Sequence, residues 1–161
     1  MKIYLAGPLF NVAEQEFNSK LARLLRSSGH EVWLPQEIEQ RDKTAAEVFA
    51  KDIEGIDWAD VVVANMDGPD PDSGTCWECG YAYKKKPVIV FRSDFRAADE
   101  PDKAPYNLML AQSATVRLDA RYLDADGLFT LIVGALNELS VGRTEKSVTL
   151  REPANYAARR S

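Results

Sequence analysis

Apolar positions along the first 140 residues follow two periods in turn, and the alternation predicts strand and helix by turns. KIYLA (2–6) is an apolar run of strand length. From Asn11 to Ser28, Phe17, Leu21, Leu24 and Leu25 recur at i, i+4, i+7 and i+8, one face of an amphipathic helix that Gly29 stops. EVWLP (31–35) predicts a second strand, closed by Pro35. Residues 44–59 set Ala45, Val48, Phe49, Ile53, Ile56 and Ala59 on one helical face, and DVVVAN (60–65) is a strand of the kind buried on both sides. A loop rich in Gly, Pro and Asp follows, then a helix from about 73 to 86, and the strand PVIVFR (87–92). Beyond a polar segment at 93–104 come a short helix around PYNLMLAQ, a strand ATVRL (114–118), and a helix marked by Leu128, Leu131, Ile132, Ala135, Leu136 and Leu139.

Five such βα units imply a doubly wound α/β fold of the flavodoxin-like type: a five-stranded parallel sheet, helices on both faces, right-handed crossovers. The expected organisation is one domain over 1–140 and a polar C-terminal tail over 141–161. In such folds ligands bind beyond the C-terminal strand ends, which singles out loops 7–12, 35–43, 66–75 and 93–107.

Composition narrows the chemistry. A chain of 161 residues, 45% hydrophobic and 28% charged, has ample material for one core. No apolar run approaches the ~20 residues that span a bilayer, and the N-terminus enters its first strand directly, so neither a membrane segment nor a signal peptide is expected and the location is expected to be cytoplasmic. The single histidine, His30, excludes histidine-based triads and metal sites, and reads as a turn residue beside Gly29. Two cysteines are too few for a disulfide framework or a four-cysteine zinc site. Net charge is −5, and no Lys or Arg occurs from Asp52 to Tyr83 among eight acids, a field unfavourable to nucleic acid or phosphate-rich ligands. The loop AGPLFN is not G-x-G-x-x-G, and no Walker A sequence occurs.

Three residues break the local rules. On a helical wheel turned about 100° per residue, Asp52 falls at about 40° from Val48, between Ala59 at about 20° and Ala45 at about 60°. It therefore lies within the apolar stripe, where a carboxylate needs a partner or a raised pKa. It is either a structural Asp bonded to backbone or tyrosine, or a proton-carrying acid at a pocket wall. Glu78, in DSGTCWECG (72–80), fits the capping-box pattern with Thr75. The same position in a first helical turn keeps a carboxylate ionised, and an ionised carboxylate can attack an anomeric carbon and hold it as an ester. Tyr4 is either core packing or a hydroxyl that orients a carboxylate at the sheet edge.

The neighbouring residues read more plainly. Asp72 fits an N-cap, Asp67 and Asp70 fit solvated loop positions, and Lys84, Lys85 and Lys86 fit a helix end complementing its own dipole. Cys76 and Cys79 form a CxxC at a helix start, as in redox pairs, yet acids flank them and no base is near in sequence; small helix residues account for them better.

Taken in order, Tyr4 in IYLAGPLF, Asp52 in AKDIEGIDWADVVVANMDG, the run DSGTCWECGYAYKKKPVIVF, and PYNLML resemble the nucleoside 2-deoxyribosyltransferase family over most of residues 1–118. The most specific element is D-x-G-x-x-x-E-x-G-Y-A, beginning at Asp72. The resemblance implies that Glu78 is a nucleophile toward C1′ of a 2′-deoxynucleoside, that Tyr4 orients it, and that Asp52 protonates the departing base and deprotonates the incoming one. It further implies that Asp72 binds the sugar or supports the base, that Leu9 and Phe10 line the pocket, that Gln36 faces the base, and that Asn107 and Met109 reach a neighbouring subunit's site in a homo-oligomer. Partners would be deoxynucleosides and free nucleobases, with no nucleic acid, membrane, metal or organic cofactor. In that family the C-terminus can return to the site, which raises the same question for Tyr156 here. The rival readings are a 2′-deoxynucleoside 5′-monophosphate N-glycohydrolase, with water as acceptor, and a non-catalytic nucleoside-binding protein.

Overall fold

A computed structural model of the chain describes residues 1–38, 41–96 and 106–142, together with the backbone of 148–151. Strand and helix alternate as the apolar periods require: β1 (Lys2–Ala6), α1 (Val12–Ser27), β2 (Glu31–Trp33), α2 (Ala45–Trp58), β3 (Val61–Asn65), α3 (Ser73–Ala82), β4 (Val88–Arg92), α4 (Leu108–Ser113), β5 (Val116–Asp119), α5 (Ala125–Ser140) and β6 (Val148–Arg151). The strands form one parallel sheet in the order β2-β1-β3-β4-β5-β6. The doubly wound α/β architecture is as expected, but among the described residues the sheet has six strands rather than five. The sixth lies in the stretch expected to be a tail and pairs Val148 with Val116 and Arg151 with Asp119.

Successive strand residues face opposite helical layers. Ile3, Leu5, Val61, Val63, Ile89, Phe91, Val116 and Leu118 pack with Leu21 and Leu25 of α1 and Leu128 and Ile132 of α5. Tyr4, Ala6, Val62, Ala64, Val88 and Val90 face the other way, toward Ile56 of α2, Cys79 and Ala82 of α3 and Ala111 of α4. Every residue of β3 and β4 is buried, which is why both read as unbroken apolar runs.

Polar side chains set the helix starts. Asn11 and Glu14 form a reciprocal capping box on α1, and Thr44 and Glu47 form one on α2; each cap contributes about 1 kcal/mol. α3 ends at Ala82 rather than near 86, because Lys84 turns left-handed at φ 71°. The lysine run therefore does not complete α3. Lys86 Nζ instead donates to the carbonyls of Ile56 and Ala59 (2.6 Å to the latter) and serves the C-terminal end of α2.

Strand order reverses between β1 and β3, and in this fold class that point opens the ligand crevice. The two strand ends approach closely there: a Cβ on Gly7 would meet Cβ of Asn65 at 3.3 Å. Among the described residues no helix is long and apolar enough to cross a membrane.

Candidate active site

Tyr4, fully buried in β1, projects toward the layer that holds α2 and α3. Its hydroxyl donates a 2.5 Å hydrogen bond to Oε1 of Glu78, which comes from a position 74 residues away on α3. Burial raises the Tyr4 pKa far above the usual phenol range, and the charges of Glu78 and Asp52 add to the rise, so this group remains a donor.

Glu78 departs from both local expectations. Asp72 is the N-cap of α3, accepting from Thr75 N (2.8 Å) and Thr75 Oγ1 (3.0 Å), so Thr75 sits inside the helix and no Thr75–Glu78 capping box forms. Glu78 thus occupies the second turn, beyond the strongest reach of the dipole. Burial pushes its carboxyl up to about 7; the Tyr4 hydrogen bond opposes that rise, and the charges of Asp52 and Asp72 add to it. The group is poised between acid and carboxylate near neutrality rather than held ionised. Such a carboxyl is a more basic nucleophile than a solvated glutamate.

Asp52 is half-buried on α2, at the place in the apolar stripe that its spacing predicts. Burial raises its pKa, favouring a protonated acid. The charge of Asp52 reaches both Tyr4 and Glu78, and that of Asp72 reaches Glu78. The Tyr4–Glu78 hydrogen bond thus joins β1 to α3, with Asp52 on α2 and Asp72 at the head of α3 near enough to act on Glu78 electrostatically.

The other expected residues are placed less uniformly. Leu9 is half-buried in the loop after β1, while Phe10 is 76% exposed. Gln36 is held by α1: its Nε2 donates to Gln15 O and Ser19 Oγ (both 2.9 Å), and its Oε1 accepts from Asn18 Nδ2 (3.0 Å). Asn18 also donates to Pro8 O (2.9 Å), so this cluster braces the first loop. Asn107 caps α4 by accepting from Met109 N, and Met109 stands 71% exposed. Tyr156 lies outside the described residues.

Two features of the site's surroundings were not expected. Asp67 is not a solvated loop residue: it accepts from Ser93 N (2.6 Å), Ser93 Oγ (2.5 Å) and Asp94 N (2.8 Å), fastening the loop after β3 to the loop after β4. Arg92 is only 2% exposed and donates to the carbonyls of Met66 (2.5 Å), Gly68 (3.0 Å) and Arg96 (3.1 Å). Its one sequence signal was a cation ending an apolar strand. Both thiols are held toward the protonated form: burial raises Cys76, and burial with the Glu78 charge pushes Cys79 up to about 12. Among the described residues no cluster of His, Cys, Asp and Glu is placed to hold a metal ion.

A family model described as nucleoside 2-deoxyribosyltransferase matches residues 3–109. The 2-deoxyribosyltransferase of Bacillus psychrosaccharolyticus is 32% identical, with a TM-score of 0.63 over 80% of this chain and 90% of its own. An uncharacterized protein of Ureaplasma parvum is 34% identical over 116 residues, 60% of this chain and 72% of that protein. The CMP N-glycosidase of Clostridium botulinum shares the fold, with a TM-score of 0.60 at 17% identity over 84% of this chain and 99% of its own.

Proposed function

This chain belongs to the nucleoside 2-deoxyribosyltransferase family, and on that premise we propose that it moves 2-deoxyribose between purine and pyrimidine bases by double displacement at Glu78. The observation that carries the proposal is the 2.5 Å contact from Tyr4 to a Glu78 carboxyl poised near neutrality, within reach of the Asp52 charge.

In the first half-reaction the protonated Asp52 gives its proton to the base. The C1′–N bond breaks with its electron pair leaving on the base, and a Glu78 oxygen bonds to C1′ from the opposite face. In the second, the carboxylate of Asp52 takes a proton from the incoming base, whose nitrogen attacks C1′ and returns Glu78 as a carboxylate. Two inversions give net retention, and water in place of the second base gives slow hydrolysis. Tyr4 holds the attacking oxygen in line, and Asp72, Leu9 and Phe10 bound the sugar side. Gln36 contributes through the first loop that it braces. The exposed Met109, beside the cap residue Asn107, supports contact with a neighbouring copy in a homo-oligomer.

A 5′-monophosphate substrate fits less well. No basic residue occurs between Asp52 and Tyr83, and the Nη atoms of Arg92 are spent on carbonyls. A binding protein without turnover would gain nothing from crowding acids around a buried tyrosine. The test is incubation with deoxyadenosine and free cytosine, followed by product analysis. Deoxycytidine is expected, and deoxyadenosine should outcompete its 5′-phosphate as donor. Failure to form deoxycytidine, or equal activity of Glu78→Ala and wild type, removes the proposal.

A further inference from the structure

The two acids stand on different helices, and side chains bridge those helices at two levels. Near their N-terminal ends, Phe49 of α2 meets Trp77 of α3 with ring centroids 5.3 Å apart and planes tilted by 60°. Trp77 stacks in turn on Tyr81, at 5.4 Å and 14°. Toward the other end, the Tyr81 hydroxyl lies 3.2 Å from each Asp57 carboxylate oxygen on α2. Asp52 follows Phe49 by one turn, and Glu78 follows Trp77 directly, so both acids lie between the bridges.

The two acids are not equally fixed. Tyr4 anchors Glu78 from the sheet. Among the described residues no hydrogen bond holds the Asp52 carboxyl, so its place relative to Glu78 follows the place of α2. Phe49 and Trp77 are 53% and 48% exposed, and a half-exposed aromatic pair contributes about 0.5–1.5 kcal/mol beyond its buried area. Its geometric effect is larger, because it joins the two helices that carry the acids.

We propose that Phe49 and Trp77 are positioning residues: their contact fixes the separation of α2 and α3, and with it the coupling between the acid at 52 and the nucleophile at 78. The inference rests on the catalytic reading of those two carboxyls given above. It makes a distinctive demand on pH dependence. Glu78 faces Tyr4 from β1, Asp72 at the head of α3, Asp52 from α2, and Cys79 beside it on its own helix. Only Asp52 stands on α2. Releasing the ring contact therefore moves the Asp52 carboxyl relative to Glu78 and admits water, while leaving the Tyr4 bond in place, and the added water favours the ionised form of Glu78, whose rise comes chiefly from burial.

The test measures kcat, KM and the pH profile of deoxyribosyl transfer in Phe49→Ala, Trp77→Ala, the double variant and Trp77→Phe, with thermal unfolding alongside. Each alanine variant should lower kcat about tenfold, leave KM within about twofold, and move the acid limb of the profile to lower pH. The double variant should be no worse than Trp77→Ala alone, since the Phe49–Trp77 contact is already lost there, and Trp77→Phe should restore most of kcat. If an alanine variant fails to fold, Phe49→Leu carries the same expectation. Unchanged kcat and an unmoved acid limb in an active enzyme overturn the proposal alone. A wild-type protein that transfers no deoxyribose overturns the catalytic reading and this inference together.

Discussion

Replacing Tyr4 by Phe removes one hydroxyl from a fully buried ring and leaves the packing of β1 in place. What is lost is a 2.5 Å hydrogen bond to a carboxyl whose charged form it favours. Hydrogen bonds to charged groups contribute about 1.5–3 kcal/mol, and one pKa unit corresponds to about 1.4 kcal/mol. The variant should therefore carry Glu78 upward by roughly one to two units from its wild-type value of about 7. At pH 7 the nucleophilic fraction falls from about half to roughly a tenth or a hundredth, so kcat/KM should drop roughly 5- to 50-fold. The drop should shrink as pH rises, because alkali restores the carboxylate without the tyrosine. The assay is the pH profile of kcat/KM for transfer from deoxyadenosine to cytosine. A deficit of the same size at every pH, or an acid limb in the wild-type place, refutes the argument that Tyr4 acts through the ionisation of Glu78.

Other perturbations follow from the same geometry. Asp52→Asn removes the transferable proton and should lower kcat/KM by roughly 10²- to 10⁴-fold, with a smaller loss for a nucleoside whose base leaves unprotonated; equal losses for both donors contradict the acid role. Glu78→Gln should abolish transfer yet stabilise the fold at alkaline pH. A carboxyl raised from 4.5 to about 7 on folding favours the folded state below its ordinary range and loses that contribution as pH rises through 7, so the glutamine variant should exceed wild type above pH 7 by up to about 3 kcal/mol and lose that advantage near pH 4. Urea unfolding at the two pH values measures the difference. Gly55→Ala places a methyl group inside the indole of Trp33, whose buried Nε1 has no hydrogen-bond partner among the described residues, and should cost about 1–3 kcal/mol in the same assay; an unchanged midpoint contradicts the packing seen there.

The sequence made some of this arrangement visible and hid the rest for identifiable reasons. Asp52 stood out because helical periodicity alone puts it in an apolar stripe, and the structure half-buries it there. Contact between Tyr4 and Glu78 left no periodic trace, since the two are 74 positions apart; only the order of the motifs suggested it. The Thr75–Glu78 capping box was a spacing match that a better cap, Asp72, displaced by starting the helix three residues earlier. Asp67 looked solvated because its neighbours are Gly, Pro and Asp, but its partners arrive from a strand end 26 and 27 positions later. β6 escaped notice because VTLR is four residues in a polar stretch and becomes a strand only by pairing with β5. In each case the missing information was a long-range partner, which local pattern does not encode.

The most direct measurement asks whether sugar and protein become covalently joined. The protein is mixed with a 2′-deoxynucleoside in the absence of acceptor base, quenched in acid within the first turnover, digested, and weighed peptide by peptide. One deoxyribosyl group on the peptide bearing Glu78, absent from Glu78→Gln and discharged by added base, is the predicted result. Turnover without any such adduct, and with inverted configuration at C1′ of the product, contradicts the account at its centre.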